Sequence, residues 1–127
     1  MSKTKTQARR NETKRLLDRS FNTKEQVIKI NTSNTIEHEL AKFLLAWEAA
    51  CDGKRFVTEA IFSNGKRADI LVLDDGEAWE VLKSETKEKF KLKLDEYPCP
   101  IIPFQAQDVI EHWKKKLFHI PEVENDN

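Results

Sequence analysis

The sequence predicts a mixed α/β domain in which a sheet of about four strands is flanked by helices, in the order α-β-β-β-α-β-α. Three observations carry that reading. A long amphipathic pattern, "NTIEHELAKFLLAWEAACDG", comes first. Three short β-rich runs joined by turn signals follow it, and two further helical patterns then bracket a proline-rich extended segment.

Each element has a local cause. In the first helix Asn34 or Thr35 caps the N-terminus, acids occupy the first turn and Gly53 ends the run. Ile36, Leu40, Phe43, Leu44 and Trp47 recur at helical spacing and are expected to face the core. "KRFVTEAIF" has strand composition, "SNGK" is a hairpin turn, "RADILVLD" is a second strand, "DDGE" turns again, and "AWEVLKSE" makes the third. "ETKEKFKLKLDEY" is a helix placing Phe90, Leu94 and Tyr97 on one face. "PCPIIPF" holds three prolines and suits an edge strand. "QAQDVIEHWKKKLF" closes as an amphipathic helix with Val109, Ile110, Trp113 and Leu117 inward.

A chain of 127 residues makes one domain. The expected divisions are a basic, partly flexible arm at 1–30, the folded domain at 31–120 and a disordered tail at 121–127. With 22 basic and 22 acidic residues, bulk charge names no partner. The balance is uneven, however: residues 1–24 hold eight Lys or Arg against two acids, leaving 14 against 20 in the remainder. A basic head on an acidic body suggests a polyanionic partner, with Arg9, Arg10, Lys14, Arg15 and, nearer the sheet, Arg67 as contacts. Two widely spaced cysteines and three scattered histidines do not make a zinc site. No apolar run reaches the ~18 residues of a membrane span, so the chain reads as soluble and intracellular, with reduced thiols.

The chemistry concentrates in "RADILVLDDGEAWEVLKSE", where Asp69 and Glu80 interrupt otherwise apolar strands. A charge there costs free energy unless a partner meets it. With the hairpin closed around Asp75-Gly76, Asp69 is expected opposite residue 82, a diagonal neighbour of Glu80, and on the same face as Leu71 and Leu73. Two hard oxygen ligands with a backbone carbonyl and water make an open Mg²⁺ or Mn²⁺ site, suited to phosphodiester hydrolysis. The other reading is structural: both acids pair with Arg67, Lys66 or Lys54.

Helix, three strands with Asp on the second and Glu on the third, then helix, strand and helix resembles the PD-(D/E)XK nuclease superfamily. This is the restriction endonuclease-like core also used by Holliday-junction resolvases and by the nuclease-like part of the competence protein CoiA. The resemblance covers roughly residues 34–117. It implies a Mg²⁺- or Mn²⁺-dependent DNA endonuclease in which Asp69 and Glu80 bind metal, Val81 offers its carbonyl, and a first-helix acid, Glu39 in preference to Glu37, completes the site. The family places a lysine two residues after the Glu. This chain has Leu82 there, with Lys83 next, and "EVLKSE" is similar to the CoiA-like variant in which Ser84 shares the face of Glu80. Lys83, Lys54 or Lys66 would then stand in for the lysine. Many small nucleases of this fold act as homodimers, which the resemblance extends to this chain. The alternatives are a nucleic-acid-binding module of the same fold without turnover, and a protein-interaction domain whose acids are structural. His38, Trp79, Trp113 and the run Lys114–Lys116 have ordinary readings as a surface histidine, core aromatics and a helix-end charge cluster.

Overall fold

In the computed structural model the described residues are 3–21, 23–83 and 87–118. The elements are α1 (Lys3–Lys14), α2 (Ile36–Cys51), β1 (Phe56–Ile61), β2 (Arg67–Val72), β3 (Glu77–Leu82), α3 (Lys87–Leu94), β4 (Ile101–Gln105) and α4 (Ala106–Phe118). From α2 onward this is the order the sequence predicts, with α1 added in front. Ser84 and the tail 121–127 lie outside the described residues.

Local chemistry sets the boundaries. The Thr35 hydroxyl accepts a hydrogen bond from the His38 N–H at 3.2 Å, satisfying a donor that the first turn of α2 leaves orphaned. β1, β2 and β3 form an antiparallel meander, and β4 adds parallel to β3 after the α3 crossover, giving the order β1-β2-β3-β4. Pro103 lies in edge strand β4, where its missing N–H disturbs the ladder least.

The β2–β3 turn is longer than the two-residue closure expected from "DDGE". Val72 pairs with Glu77, so Leu73 to Gly76 form the loop, and the Gly76 N–H donates to the Val72 carbonyl at 3.0 Å. Gly76 has φ +65, a left-handed conformation that a β-carbon disfavours. The ladder therefore runs Ile70–Trp79, Leu71–Ala78, Val72–Glu77, a register whose residue numbers sum to 149 and not 151, and just past its end Asp69 and Glu80 meet through their side chains. The diagonal placement is corrected by this register.

A second departure lies between β1 and β2. The register is the same on either side of Glu59 and Asp69, yet these two do not pair. Glu59 has φ +49 in mid-strand. Val57, Ala60 and Phe62 share one core cluster on β1, and Ala68, Leu71 and Leu73 share it on β2, so alternation slips by one residue at both acids. Asp69 therefore does not follow Leu71 and Leu73, and its carboxylate instead reaches α2.

Two apolar layers sandwich the sheet. On one face Ala41, Leu44, Leu45 and Ala49 of α2 and Val109 of α4 cover Phe56, Ile70, Val72 and Val81. On the other, Leu17 and Phe90 cover Val57, Leu71, Ala78 and Leu82. The inward face of α2 corrects the expected one. Leu44 is buried, but Ile36, Leu40, Phe43 and Trp47 are exposed. Alanines let the helix approach the sheet closely, and the bulky residues are left outside. Leu94 and Leu117 are likewise exposed, whereas Phe90 and Val109 are buried as expected.

The basic arm is also corrected. The guanidinium of Arg10 grips Asp74 through two hydrogen bonds of 2.9 Å, the Thr13 hydroxyl donates to the Leu73 carbonyl at 2.9 Å, and Leu17 bridges to Phe62 in the core. The helix and its following turn are built into the domain. Cys51 and Cys99 are free thiols, and no helix among the described residues is long and apolar enough to cross a membrane.

Because Leu17 is 7% exposed, Leu17→Ala is expected to cost about 2–4 kcal/mol in urea unfolding, and deleting residues 1–24 is expected to lower the midpoint further. A truncated chain with the midpoint of the full chain would return residues 1–24 to the status of a dispensable arm.

Candidate functional site

Where the β2–β3 ladder ends, two carboxyl groups meet. Asp69 and Glu80 hydrogen-bond to each other through their side chains. The Val81 N–H donates to Asp69 Oδ2 at 2.8 Å, a bond its strand partner would otherwise receive. On the α2 side, His38 Nε2 lies 3.3 Å from the same oxygen. On the other side, the Tyr97 hydroxyl lies 3.3 Å from Glu80 Oε1 and 3.0 Å from the Arg67 carbonyl. The pair lines a cleft of about 320 Å³ together with His38, Val81, Lys83, Lys93 and Tyr97.

The electrostatics follow from burial and contact. Burial, then the hydrogen bond with and charge of Asp69, push the Glu80 carboxyl far above the ordinary range, to about 9. Glu80 thus keeps its proton at neutral pH and donates it to Asp69. Burial works against ionisation of Asp69 too, but its bonds with His38, Glu80 and the Val81 N–H outweigh that cost and hold it below the usual range. The bond to Asp69 raises His38 against its desolvation. Burial and the neighbouring Glu80 raise the Tyr97 hydroxyl.

Behind His38 stands a second cluster. Lys42 is fully buried, yet its ammonium is satisfied by Glu39 Oε1 at 2.7 Å, the Lys29 carbonyl at 2.7 Å and Glu59 Oε2 at 3.2 Å. Glu39 also accepts from the Asn31 N–H at 2.8 Å and the Asn34 side chain at 2.9 Å, and touches His38 Nδ1 at 3.2 Å. Burial would raise Glu39, but these donors together bring it down to about 2. Asn31 Nδ2 donates to Glu59 at 3.0 Å. The left-handed backbone at Glu59, off the regular alternation, accompanies a side chain that reaches Lys42 beneath α2. A continuous polar chain therefore runs Glu59–Lys42–Glu39–His38–Asp69–Glu80.

The expected site residues are distributed as follows. Asp69, Glu80, Val81 and Lys83 come together in the cleft. Glu39 sits one residue removed, joined to Asp69 through His38, with its oxygens already accepting from the Asn31 N–H, the Asn34 side chain and Lys42. Leu82, at the usual lysine position, is a core residue packed with Ala78 and Phe90. Lys54 pairs with Asp75 and Lys66 with Glu96, so neither approaches the acids. Arg67 lies 3.7 Å from Glu59 instead of pairing with Asp69. Arg10 is committed to Asp74 and Lys14 to Glu25, while Arg9 and Arg15 are exposed on or just after α1. Trp79 packs edge-on against Phe104, and Trp113 donates to Glu48 on α2.

Sequence reasoning missed Lys42 and underrated His38 and Tyr97. Glu39 and Lys42 form an i,i+3 pair whose lysine falls among Ala41, Leu44 and Leu45. A charge on an apolar face is the signal that identifies it.

Among the described residues, no group of three or more His, Cys, Asp or Glu side chains is placed to hold a metal ion. The donor set at the cleft is two carboxyl groups and whatever the Val81 carbonyl and solvent add. No family model matches this chain, and neither does any curated protein or solved structure.

Two outcomes test this account. Glu80 is raised in the folded state, so it binds more proton than the unfolded chain between its ordinary value and about 9. Its contribution is complete at low pH and is lost as pH rises through that window. Wild type minus Glu80→Gln, measured by urea unfolding from pH 5 to 9, should therefore fall with pH; a flat difference would show that Glu80 ionises normally. Lys42→Met leaves Glu39 and Glu59 without their buried cation and is expected to cost about 3–5 kcal/mol; a variant as stable as wild type would remove Lys42 from the chain of contacts.

Proposed function

We propose that the Asp69–Glu80 cleft is the centre of a metal-dependent DNA endonuclease that hydrolyses phosphodiester bonds with Mg²⁺ or Mn²⁺. The observation that carries this reading is the meeting of two half-buried carboxyl groups from adjacent strands, in a cleft that also presents Val81 and two lysines. The elements around it run helix, three strands, helix, strand and helix, the order of the PD-(D/E)XK core that the sequence resembles.

The donor chemistry fits a hard divalent cation. Magnesium is commonly held by one or two carboxylates, with water and substrate phosphate filling the other positions, and needs no all-protein cage. Asp69, Glu80 and the Val81 carbonyl would hold the ion, which would supply Lewis-acid neutralisation of charge building on the phosphate. The chain's residues do the remainder. Val81 N–H and His38 fix Asp69, and Tyr97 sets the orientation of Glu80. His38 is gripped at both ring nitrogens, by Glu39 and Asp69, and is a positioning residue in this reading. Lys83 and Lys93 bring positive charge to the cleft that a phosphate would enter. Buried Leu82 favours one variant of this reading, a nucleic-acid-binding module that retains the metal site without turnover.

Calorimetric titration with Mn²⁺ is the first test. Wild type should bind, Asp69→Asn and Glu80→Gln should not, and His38→Ala should bind about 10–100-fold more weakly. Binding that survives both carboxylate substitutions would sink the centre. With binding established, cleavage of duplex, single-stranded and branched DNA separates the two variants: an enzyme loses roughly 10²–10³-fold in rate with Lys83→Ala or Lys93→Ala, whereas a binding module cuts none of the three.

A further inference from the structure

Helix α2 has two apolar faces, and the fold uses one of them. Opposite the buried alanines and leucines, Ile36, Leu40, Phe43 and Trp47 are 80%, 44%, 43% and 51% exposed. Their spacing of four, three and four residues is that of a helix–helix seam. Among the exposed positions of α2, Glu37 is the sole charged residue. Ile30, 77% exposed, extends the patch, and with Ile28 it walls a groove shared with Ile36, Leu40 and Phe43.

We propose that this face is a self-association surface, on which two copies of the chain pair through antiparallel α2 helices. The proposal does not depend on the nuclease reading. Area supports a second copy as the occupant. The exposed portions of Ile30, Ile36, Leu40, Phe43 and Trp47 present roughly 500 Å² of apolar surface, taking about 150–220 Å² for each whole side chain. A standard interface buries about 800 Å² per partner, of which about 65% is apolar in self-associating proteins, so the two quantities agree. Charge sets the orientation. An antiparallel pair sets each α2 N-terminus beside its partner's C-terminus and so aligns the helix dipoles favourably, whereas a parallel pair sets like ends together. An isologous pairing also needs no second surface, because the seam meets itself. Nucleic acid is a poor occupant, since the exposed positions of α2 offer no Lys or Arg.

The test is sedimentation equilibrium of the full chain at concentrations up to about 100 µM, where mass action favours the dimer. Wild type is expected as a dimer, and Leu40→Lys/Phe43→Lys as a monomer with an unchanged circular dichroism spectrum. Ile36→Lys/Trp47→Lys serves as the second disruption if the first variant fails to fold. A wild type that stays monomeric throughout, or a dimer that persists in a folded variant, overturns the proposal. The exposed Cys51 thiols sit at the C-terminal ends of the two helices. They are expected to stay unlinked under mild oxidation, and rapid Cys51–Cys51 cross-linking would overturn the antiparallel arrangement.

Discussion

Everything around the β2–β3 hairpin is arranged to keep a group of ionisable side chains neutralised where water is scarce. Glu39, Glu59 and Asp69 bring three negative charges beneath the N-terminal half of α2. Lys42 answers Glu39 and Glu59, the His38 ring, whose basicity its contact with Asp69 raises, meets Asp69, and Arg67 adds a more distant contact to Glu59 at 3.7 Å. Loss of the Glu80 proton would set a second carboxylate directly against Asp69, which is why the hydrogen bond with and charge of Asp69 raise Glu80. The proton of Glu80 therefore occupies the place in the charge balance that a bound cation would take.

The backbone is shaped by the same requirement. A residue with positive φ in mid-strand costs of order 1–3 kcal/mol and persists only where its surroundings hold it. Glu59 is held by the Asn31 amide and by the Lys42 ammonium. The slip in alternation opposite it frees Asp69 from the ladder, so that its carboxylate can accept from the Val81 N–H. Glu59 and Asp69 thus break the β alternation at the one position between β1 and β2 where the ladder skips a pair. The close approach of α2 completes the arrangement. Ala41, Ala46 and Ala49 are fully buried and bring the helix near enough for Lys42 to reach β1.

Most of the architecture was legible because it rests on local signals. The Thr35 cap, the "SNGK" turn, the proline-marked edge strand and the amphipathic start of α4 each depend on neighbours a few residues away. What the sequence concealed depends on contacts that are distant along the chain. α2 carries two apolar faces, and periodicity cannot rank them; packing against the sheet selects the alanine face. The β2–β3 register turns on whether two or four residues form the loop, a choice settled by the Gly76 turn. Asp69 and Glu80 stand out in the sequence as misplaced charges, and so does Lys42 once the inner face of α2 is known. His38 and Tyr97 do not, because their meaning comes only from the acids they meet.

For a chain with no net charge, the position of its basic residues matters more than their number. α1 is docked through Arg10 at the Asp74 turn, five residues along from Asp69, which is about 16 Å at the rise of a strand. Arg10 and Lys14 are spent on ion pairs, and the turn after the helix is tied to Ile61 and Phe62. The positive groups that do reach the cleft come from elsewhere: Lys83 at the end of β3 and Lys93 on α3, with Arg67 at the start of β2 on the rim. α3 carries four lysines in eight residues and lies beside this end of the sheet. α3 and the end of β3 are therefore the basic elements that stand at the cleft, whereas α1 spends Arg10 and Lys14 on ion pairs and the turn after it places Leu17 in the core layer that also holds Phe90.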